Sequence, residues 1–206
     1  MREALKVVAR AAALVAVLPA LASYVIRAGL MGRDRALQGS TQMLALIPGL
    51  RGEYLRRAFL ARTLAGCHAT AAISFGTIFS RTEARIDERV YIGPGCNLGF
   101  VHIERDALLG SGVHVTSGSQ THGTGDVDTP IRDQPGHPTL VTIGTGAWIG
   151  NAAVIMADVG RHSIVGAGAV VTRPVPDSVV AAGVPARIIR YRRAHPHEAS
   201  GEPIAT

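Results

Sequence analysis

The chain has few aromatic side chains, a single lysine and only two cysteines. Aromatic residues fill 4% of its 206 positions, which disfavours a sandwich or a helical bundle, because their cores depend on large side chains. Cys67 and Cys96 have neither the spacing of a zinc site nor that of a redox pair, so we expect two small buried residues. Glycine is abundant instead, at 24 residues, which suits narrow coils filled by Val, Ile and Ala.

Basic residues outnumber acidic ones, and almost all of them are arginine. The 21 basic and 15 acidic residues give a formal net charge of +6. A basic chain can attract nucleic acid, anionic lipid or a phosphorylated ligand. The arginines are spread along the chain, however, and no aromatic residues are interleaved with them as a platform for stacked bases. We therefore expect no nucleic-acid partner.

Residues 1–31 are predicted to form a membrane-associated hydrophobic segment. Basic residues precede an uncharged, mostly apolar run over residues 11–26, which is shorter than the roughly 20 residues of a full span. Pro19 is predicted to interrupt this run. The alternative is a secretory signal cleaved near residues 20–22, where small residues resemble a cleavage site.

Residues 32–72 are predicted to form a helical cap or juxtamembrane region. Pro48 and Gly49 divide this region into two short helices. The second helix is amphipathic, with Leu and Phe on one side of the helical wheel and Arg56 and Arg57 elsewhere on it. Two interpretations stay open: the helices cover the end of the next domain, or they lie on a membrane surface.

From residue 73 onward, apolar residues recur at every sixth position. Six is the period neither of a helix nor of a flat strand, but of a solenoid in which short strands alternate with corners. Glycine follows the apolar residue in many units, where it is expected to permit the turn. Three units make one coil, so the pattern predicts a mainly β domain of parallel coils over residues 73–192. The predicted interior residues are Ile86, Ile92, Leu98, Ile103, Leu109, Val115, Ile143, Ile149, Ile155, Val159, Val165 and Val171.

The segment from Ile143 to Arg190 has the sequence IGTGAWIGNAAVIMADVGRHSIVGAGAVVTRPVPDSVVAAGVPARIIR. It resembles the hexapeptide-repeat acyltransferases, left-handed parallel β-helix proteins that include the galactoside and maltose O-acetyltransferases. The resemblance covers about residues 73–190 and is greatest to the membrane-linked branch that modifies polysaccharides. It implies a homotrimer with active sites between subunits, acetyl-CoA as the acyl donor and no metal.

The six-residue spacing of apolar residues is interrupted at residues 116–140. This segment contains four glycines and three prolines and is predicted to form a long loop. In the resembling family a loop at this place delivers the catalytic histidine, and the matching position is His122. An imidazole can accept the proton of a hydroxyl group and later return it. His137 lies in the same loop and is the alternative base. Acidic loop residues such as Asp126 either order the loop or are simply solvated.

The resemblance also implies which residues bind the cofactor and the acceptor. The coenzyme A groove is expected to be lined by Trp148, Asn151, Ala167, Thr172, Arg173, Arg187 and Arg190. Ala167 would leave a narrow slot open for the pantetheine arm, and the three arginines can pair with phosphates. Asn97 corresponds to an acceptor-binding asparagine of the sugar acetyltransferases. The step from Ile155 to Val159 is four residues instead of six, which shortens one corner.

These features predict an enzyme that transfers an acetyl group from acetyl-CoA to a hydroxyl of a saccharide or lipid-linked glycan precursor. We expect it at the cytoplasmic side of the inner membrane, where acetyl-CoA is supplied, with an exported protein as the alternative.

An alternative function is that of a non-catalytic, membrane-anchored, glycan-binding trimer of the same fold. A γ-type carbonic anhydrase would need three histidines converging on zinc, and His102, His114 and His122 lack such spacing; the first two are expected to be structural. Residues 193–206 are predicted to be a disordered tail.

Overall fold

The computed structural model describes residues 2–192, with side chains from residue 6 onward. Residues 193–206, the predicted disordered tail, lie outside the described residues. The chain begins with three helices: α1 (Arg2–Met31), α2 (Arg33–Ala45) and α3 (Gly49–Thr63). Parallel β-coils follow and occupy the rest of the described chain.

Helix α1 runs without a break through Pro19, so the predicted interruption is wrong. Proline removes one backbone hydrogen bond from a helix interior, at a cost of about 3 kcal/mol. Val17 and Tyr24 lie on either side of it and are both buried, in a helix that contacts α2 and α3. This packing holds the two halves of α1 in line. Among the described residues, its segment Lys6–Met31 is the one helix whose length and composition would allow it to cross a membrane.

The coils contain short strands, most of them two residues long. They are β1 (Gly66–Cys67), β2 (Ala72–Ile73), β3 (Ile78–Phe79), β4 (Arg85–Ile86), β5 (Tyr91–Ile92), β6 (Asn97–Leu98), β7 (Val101–Ile103), β8 (Leu108–Leu109), β9 (His114–Val115), β10 (Val141–Ile143), β11 (Trp148–Ile149), β12 (Val154–Ile155), β13 (Ile164–Val165), β14 (Val170–Val171), β15 (Val179–Gly183) and β16 (Ala186–Tyr191). One short 3-10 turn, Ile131–Asp133, lies between β9 and β10.

The strands form three sheets, one on each face of the coil. Sheet A contains β1, β4, β7 and β10; sheet B contains β2, β5, β8, β11, β13, β15 and β16; sheet C contains β3, β6, β9, β12 and β14. The chain visits the sheets in the order A, B, C in every coil, and consecutive coils pair in parallel. Only β16 turns back, pairing antiparallel with β15 at the end of sheet B. We name each corner by the sheets that it joins: A–B, B–C and C–A.

The twelve residues predicted from the six-residue count line the interior of the coils. Each is at most 3% exposed, and they belong to one continuous core. The residue before each of them faces outward, because successive side chains of a strand point to opposite sides. The predicted parallel β-helix is therefore confirmed.

The first coil begins at β1, earlier than the predicted boundary at residue 73. Cys67 precedes Ile73 by six positions and lies in register with the buried Ile86, so it takes the first interior place. Burial raises the pKa of the Cys67 thiol to about 12. Cys96 is completely buried, as expected.

Helices α2 and α3 cover the open end of this first coil, and we call them the cap. Phe59 and Leu60 of α3 are buried against it, and the hydroxyl of Thr41 in α2 donates to the carbonyl oxygen of Phe79 at 3.2 Å. These contacts agree with the interpretation that the helices cover the end of the next domain, and they do not exclude a membrane surface on the other side of the cap.

Arg56 and Arg57 point into the interface between the cap and the coils, so the prediction that they lie on the polar side of α3 is wrong. The Arg56 guanidinium donates to the carbonyl oxygens of Leu44 and Ile47, at 3.1 and 2.8 Å. It also donates to the carbonyl oxygen of Ile73 in the first coil, at 2.9 Å. The ends of a helix and of a coil leave such oxygens without partners, and a guanidinium supplies several donors at once. Burial lowers the pKa of Arg56.

Candidate functional site

The B–C corner is narrow because glycine occupies it in successive coils. A Cβ added to Gly150 would lie 2.5 Å from the backbone nitrogen of Ala167, one coil further on. A Cβ on Gly110 would lie 2.2 Å from Oδ1 of Asn151. Coils can therefore stack closely here, and Asn151 and Ala167 are exposed side by side on the corner.

The side chain of Asn151 is held in place by the coil before it. Its Oδ1 accepts a hydrogen bond from the backbone N–H of Ser111 at 2.9 Å, and its own carbonyl oxygen accepts one from the N–H of Gly168 at 2.8 Å. The amide NH₂ group of Asn151 is left to face outward. This fixed donor beside the small side chain of Ala167 is suited to an extended polar ligand.

Trp148 and Arg190 lie in one column on the outer face of sheet B. The column passes from Trp148 through Ile164 and Val180 to Arg190, and the register of β15 and β16 shifts next to Val180. Three strand spacings separate the ends, which is about 14 Å. Trp148 is about half exposed, and Arg190 and Arg187 are exposed on β16. This end of sheet B thus combines an aromatic surface with two cations, Arg190 in the column and Arg187 beside Ala182.

Thr172 and Arg173 lie elsewhere, on the C–A corner after β14. Both are exposed, but the outer face of sheet C separates them from Asn151 and Ala167. The structure therefore divides the predicted cofactor residues into two groups: one on sheet B and the B–C corner, the other on the C–A corner. One protomer does not bring all of them together.

The predicted loop, residues 116–140, leaves the coils from the C–A corner, and we call it the flap. Its two arms pair at the base: the N–H of Thr139 donates to the carbonyl oxygen of Ser117 at 2.8 Å, and the N–H of His137 donates to that of Gln120 at 2.7 Å. Close contact requires glycine at this base, since a Cβ on Gly136 would lie 2.0 Å from the carbonyl oxygen of Thr121. The flap is therefore anchored where it leaves the coil.

Gln134 organises the tip of the flap, a role that the sequence did not reveal. Its side chain is buried, and its Nε2 donates to the carbonyl oxygens of Asp126 and Thr129 at 2.5 and 2.7 Å. Its Oε1 accepts from the N–H of Asp126 at 3.2 Å. A single glutamine in a polar loop follows no recognisable pattern, so no signal in one sequence could have found it.

Asp126 also orders the flap rather than being merely solvated. Its carboxylate accepts hydrogen bonds from the hydroxyl of Thr129 at 2.6 Å and from the N–H of Asp128 at 2.9 Å. The Thr129 hydroxyl and the backbone donors lower the pKa of Asp126. The carboxylate is thus kept ionised, and both its oxygens are used within the flap.

His122 and His137 stand on opposite arms of the flap, and both side chains are exposed. The backbone nitrogen of His122 lies next to Gly136, where an added Cβ would be 2.8 Å away. Both imidazoles are therefore open to a ligand outside the coils of this chain.

At the foot of the flap, Asn97 and His114 are neighbours on the outer face of sheet C. They are in register on β6 and β9, and both are exposed. His114 was expected to be structural, but its side chain is not part of the packed interior. The sequence does contain a sign of this. His114 directly precedes the interior residue Val115, and successive side chains of a strand point to opposite sides, so His114 faces outward. His102 on sheet A instead lies 3.1 Å from a carboxylate oxygen of Asp87.

Within the described residues, no group of three or more His, Cys, Asp and Glu side chains is arranged to hold a metal ion.

Comparison with known proteins finds O-acetyltransferases among the relatives of this chain. No protein-family model matches the chain. The galactoside O-acetyltransferase of Escherichia coli (strain K12) is 34% identical over 126 residues, covering 52% of this chain and 61% of the relative. WbbJ of the same strain, named for lipopolysaccharide biosynthesis O-acetyl transfer, is 31% identical over 128 residues, covering 58% and 63%. The chain thus spans about three fifths of the length of these relatives.

A solved structure of a galactoside acetyltransferase in complex with coenzyme A has a similar fold. It is 24% identical, has a TM-score of 0.57, and covers 78% of this chain and 80% of its own. Together with the relatives, it confirms that this chain is a left-handed parallel β-helix resembling the hexapeptide-repeat acyltransferases.

Proposed function

We propose that this protein is a CoA-dependent O-acetyltransferase that acetylates a hydroxyl of a saccharide or lipid-linked glycan precursor. One observation supports this most strongly: the coils are regular except at one corner, where an ordered flap holds His122 away from the core. The O-acetyltransferases among its relatives support the reaction class. Acetyl-CoA supply and the apolar helix α1 support a place at the cytoplasmic face of the inner membrane.

The proposed site lies between two protomers of a homotrimer. The flap of one protomer presents His122, while the B–C corner and sheet B of its neighbour hold the donor. Asn151 and Ala167 border the slot for the pantetheine arm. Arg187 and Arg190 are exposed cations suited to pairing with phosphates. Asn97, at the foot of the flap, is placed to orient the acceptor.

In the reaction, His122 accepts the proton of the acceptor hydroxyl as its oxygen attacks the thioester carbonyl. The carbon–sulfur bond then breaks, and the imidazolium returns the proton to the departing sulfur. A positioned base of this kind contributes roughly 10²–10⁴-fold to the rate. Holding the two reactants together accounts for much of the remaining acceleration.

The proposal is tested by measuring CoA release from acetyl-CoA with a panel of nucleotide sugars, glycolipids and polysaccharides. We expect His122→Ala to lower turnover roughly 10²–10⁴-fold and to leave the affinity for CoA unchanged. His137→Ala, the matched control in the same flap, should retain most of the activity. Full turnover by His122→Ala would exclude it as the base, and absence of CoA release with every acceptor would favour a non-catalytic glycan-binding trimer.

A further inference from the structure

The inner face of α1 is fastened to the cap along its length. Ala13, Val17 and Tyr24 are buried, at successive positions of one helix face. The ring of Tyr24 packs edge-on against Phe59, with centroids 5.8 Å apart. Near the end of the helix, Nη2 of Arg27 donates to the hydroxyl of Ser40 in α2 at 2.7 Å. Helix α1 is therefore a third member of the folded helical layer.

The outer face of α1 is apolar and exposed. Its large side chains are 45–80% exposed, and they are Val7, Val8, Val15, Leu18, Val25, Ile26, Leu30 and Met31. The apolar surface continues into a groove between α1 and α3, where Ala12 and Ala16 face Leu50. Soluble monomers rarely expose apolar surface of this extent, so this face is an interaction surface.

Positive charge is concentrated in the helical layer, although Arg56 and Arg57 are buried between the cap and the coils. Residues 1–64 contain ten basic and three acidic residues, a formal net charge of +7, whereas residues 65–206 contain eleven and twelve, a net charge of −1. Arg51 lines the groove between α1 and α3, and Arg10 and Arg62 line the groove next to it. An apolar face bordered by cations is complementary to a lipid surface with anionic headgroups.

The contacts of the inner face are incompatible with a helix that crosses the bilayer. To span, α1 would have to leave the cap or take the cap into the hydrocarbon. Leaving would uncover Phe59 and separate Arg27 from its partner Ser40. Taking the cap along would bury α2, which begins with Arg33, Asp34 and Arg35 and is too short to span.

We propose that α1 lies in the plane of an anionic membrane surface, with its apolar face in the acyl boundary and the cap resting on the headgroups. A helix of 30 residues would lie along about 45 Å of that surface. This deepens the membrane association suggested above and is independent of acetyl transfer. Both experiments below read binding and topology without any acyl donor, so a failure of either proposal is recognisable separately.

The first experiment measures flotation of the full chain with lipid vesicles. We expect binding to vesicles containing phosphatidylglycerol, weaker binding to pure phosphatidylcholine, and loss of binding as salt rises. The double variant Val15→Glu/Val25→Glu should lower binding at least tenfold. The matched control, Val127→Glu/Ile131→Glu, adds the same charge to exposed apolar residues of the flap and should bind within twofold of wild type.

The second experiment determines whether the two ends of α1 are on one side of the membrane. A cysteine is added ahead of residue 1, or introduced as Arg33→Cys, and labelled with an impermeant maleimide in inside-out and right-side-out membrane vesicles. The wild-type chain is the blank, because its two cysteines are buried or poorly ionised. An in-plane helix predicts that both positions react in inside-out vesicles only.

Three results would overturn the proposal. Labelling of the two positions from opposite sides would show a spanning helix. Equal vesicle binding by the Val15→Glu/Val25→Glu variant and its control would show that the face does not contact lipid. The third result is a wild-type chain that does not bind vesicles but forms larger oligomers, together with a Val15→Glu/Val25→Glu variant that does not form them. It would show that a second copy of the chain covers the face.

Discussion

At the scale of single residues, each corner of the coils has two positions with different structural requirements. Glycine directly after the interior residue, as at Gly150, allows the next coil to approach closely. The left-handed backbone conformation occurs two residues later, at Gly112 and also at Ala152 and His162. The sequence predicts that glycine permits the turn itself. At the position after the interior residue it instead prevents a clash between coils.

We therefore expect Gly150→Ala to destabilise the protein. The added Cβ would lie 2.5 Å from the backbone nitrogen of Ala167, and overpacking of this kind costs about 1–3 kcal/mol. The melting temperature should fall by several degrees. Gly125→Ala is the matched control, because nothing lies within 4 Å of a Cβ there. An equal melting temperature for both variants would contradict close approach as the role of Gly150.

At the scale of elements, all irregularity in the six-residue count falls on one corner. Every step from sheet A to sheet B and from sheet B to sheet C is six residues between interior positions, beginning at Cys67. Steps across the C–A corner are seven, five, four and four residues, apart from the flap. The shortened step from Ile155 to Val159 is thus repeated from Val171 to Val175. The C–A corner tolerates length changes, and the flap is the largest of them.

The order of the flap should depend on Gln134. Gln134→Ala removes its side-chain hydrogen bonds inside the flap but touches no interior residue of the coils. We expect faster proteolytic cleavage within residues 120–134 and a lower kcat, with a nearly unchanged melting temperature. Gln120→Ala, an exposed glutamine of the same flap, is the control. Equal cleavage rates for the two variants would show that Gln134 does not order the flap.

The attachment of the cap should depend on Arg56. Arg56→Met keeps the apolar length of the side chain but removes the donor to three carbonyl oxygens. That of Leu44 keeps the backbone N–H of Ile47 at 3.3 Å, whereas those of Ile47 and Ile73 lose this donor. Each unsatisfied buried group costs about 1–3 kcal/mol, so we expect a loss of several kcal/mol in the free energy of unfolding. Chemical denaturation measures it, with the exposed Arg62→Met as control. Equal stability of the two variants would contradict a structural role for Arg56.

The sequence predicted those parts of the molecule that repeat and failed where contacts come from distant positions. The interior residues from Ile86 to Val171 followed from the six-residue count, because every coil imposes the same inward position. The direction of Arg56 did not follow, because its partners include Ile73, 17 residues away. Gln134 was missed for a similar reason, since its partners are backbone groups of the flap rather than side chains with a pattern. The predicted break at Pro19 was wrong because the packing of α1 against α2 and α3 outweighs the low helix propensity of proline.

At the scale of the whole molecule, the candidate site is divided between two edges of sheet C. The flap with His122 leaves the C–A corner, whereas Asn151 and Ala167 lie on the B–C corner. One chain therefore offers two half-sites. The homotrimer proposed above would join them, with the flap of each protomer against the B–C corner of the next.

The most direct test is co-expression of two inactive variants, His122→Ala and Ala167→Trp, followed by measurement of CoA release. The first lacks the base on the flap, and the second blocks the slot at the B–C corner. If each site takes its flap from one protomer and its slot from the next, random mixing of equal amounts gives about a quarter of the sites both an intact flap and an open slot. The mixture should then show about a quarter of the wild-type activity. If the mixture stays as inactive as either variant alone, flap and slot belong to the same chain and the shared site is wrong.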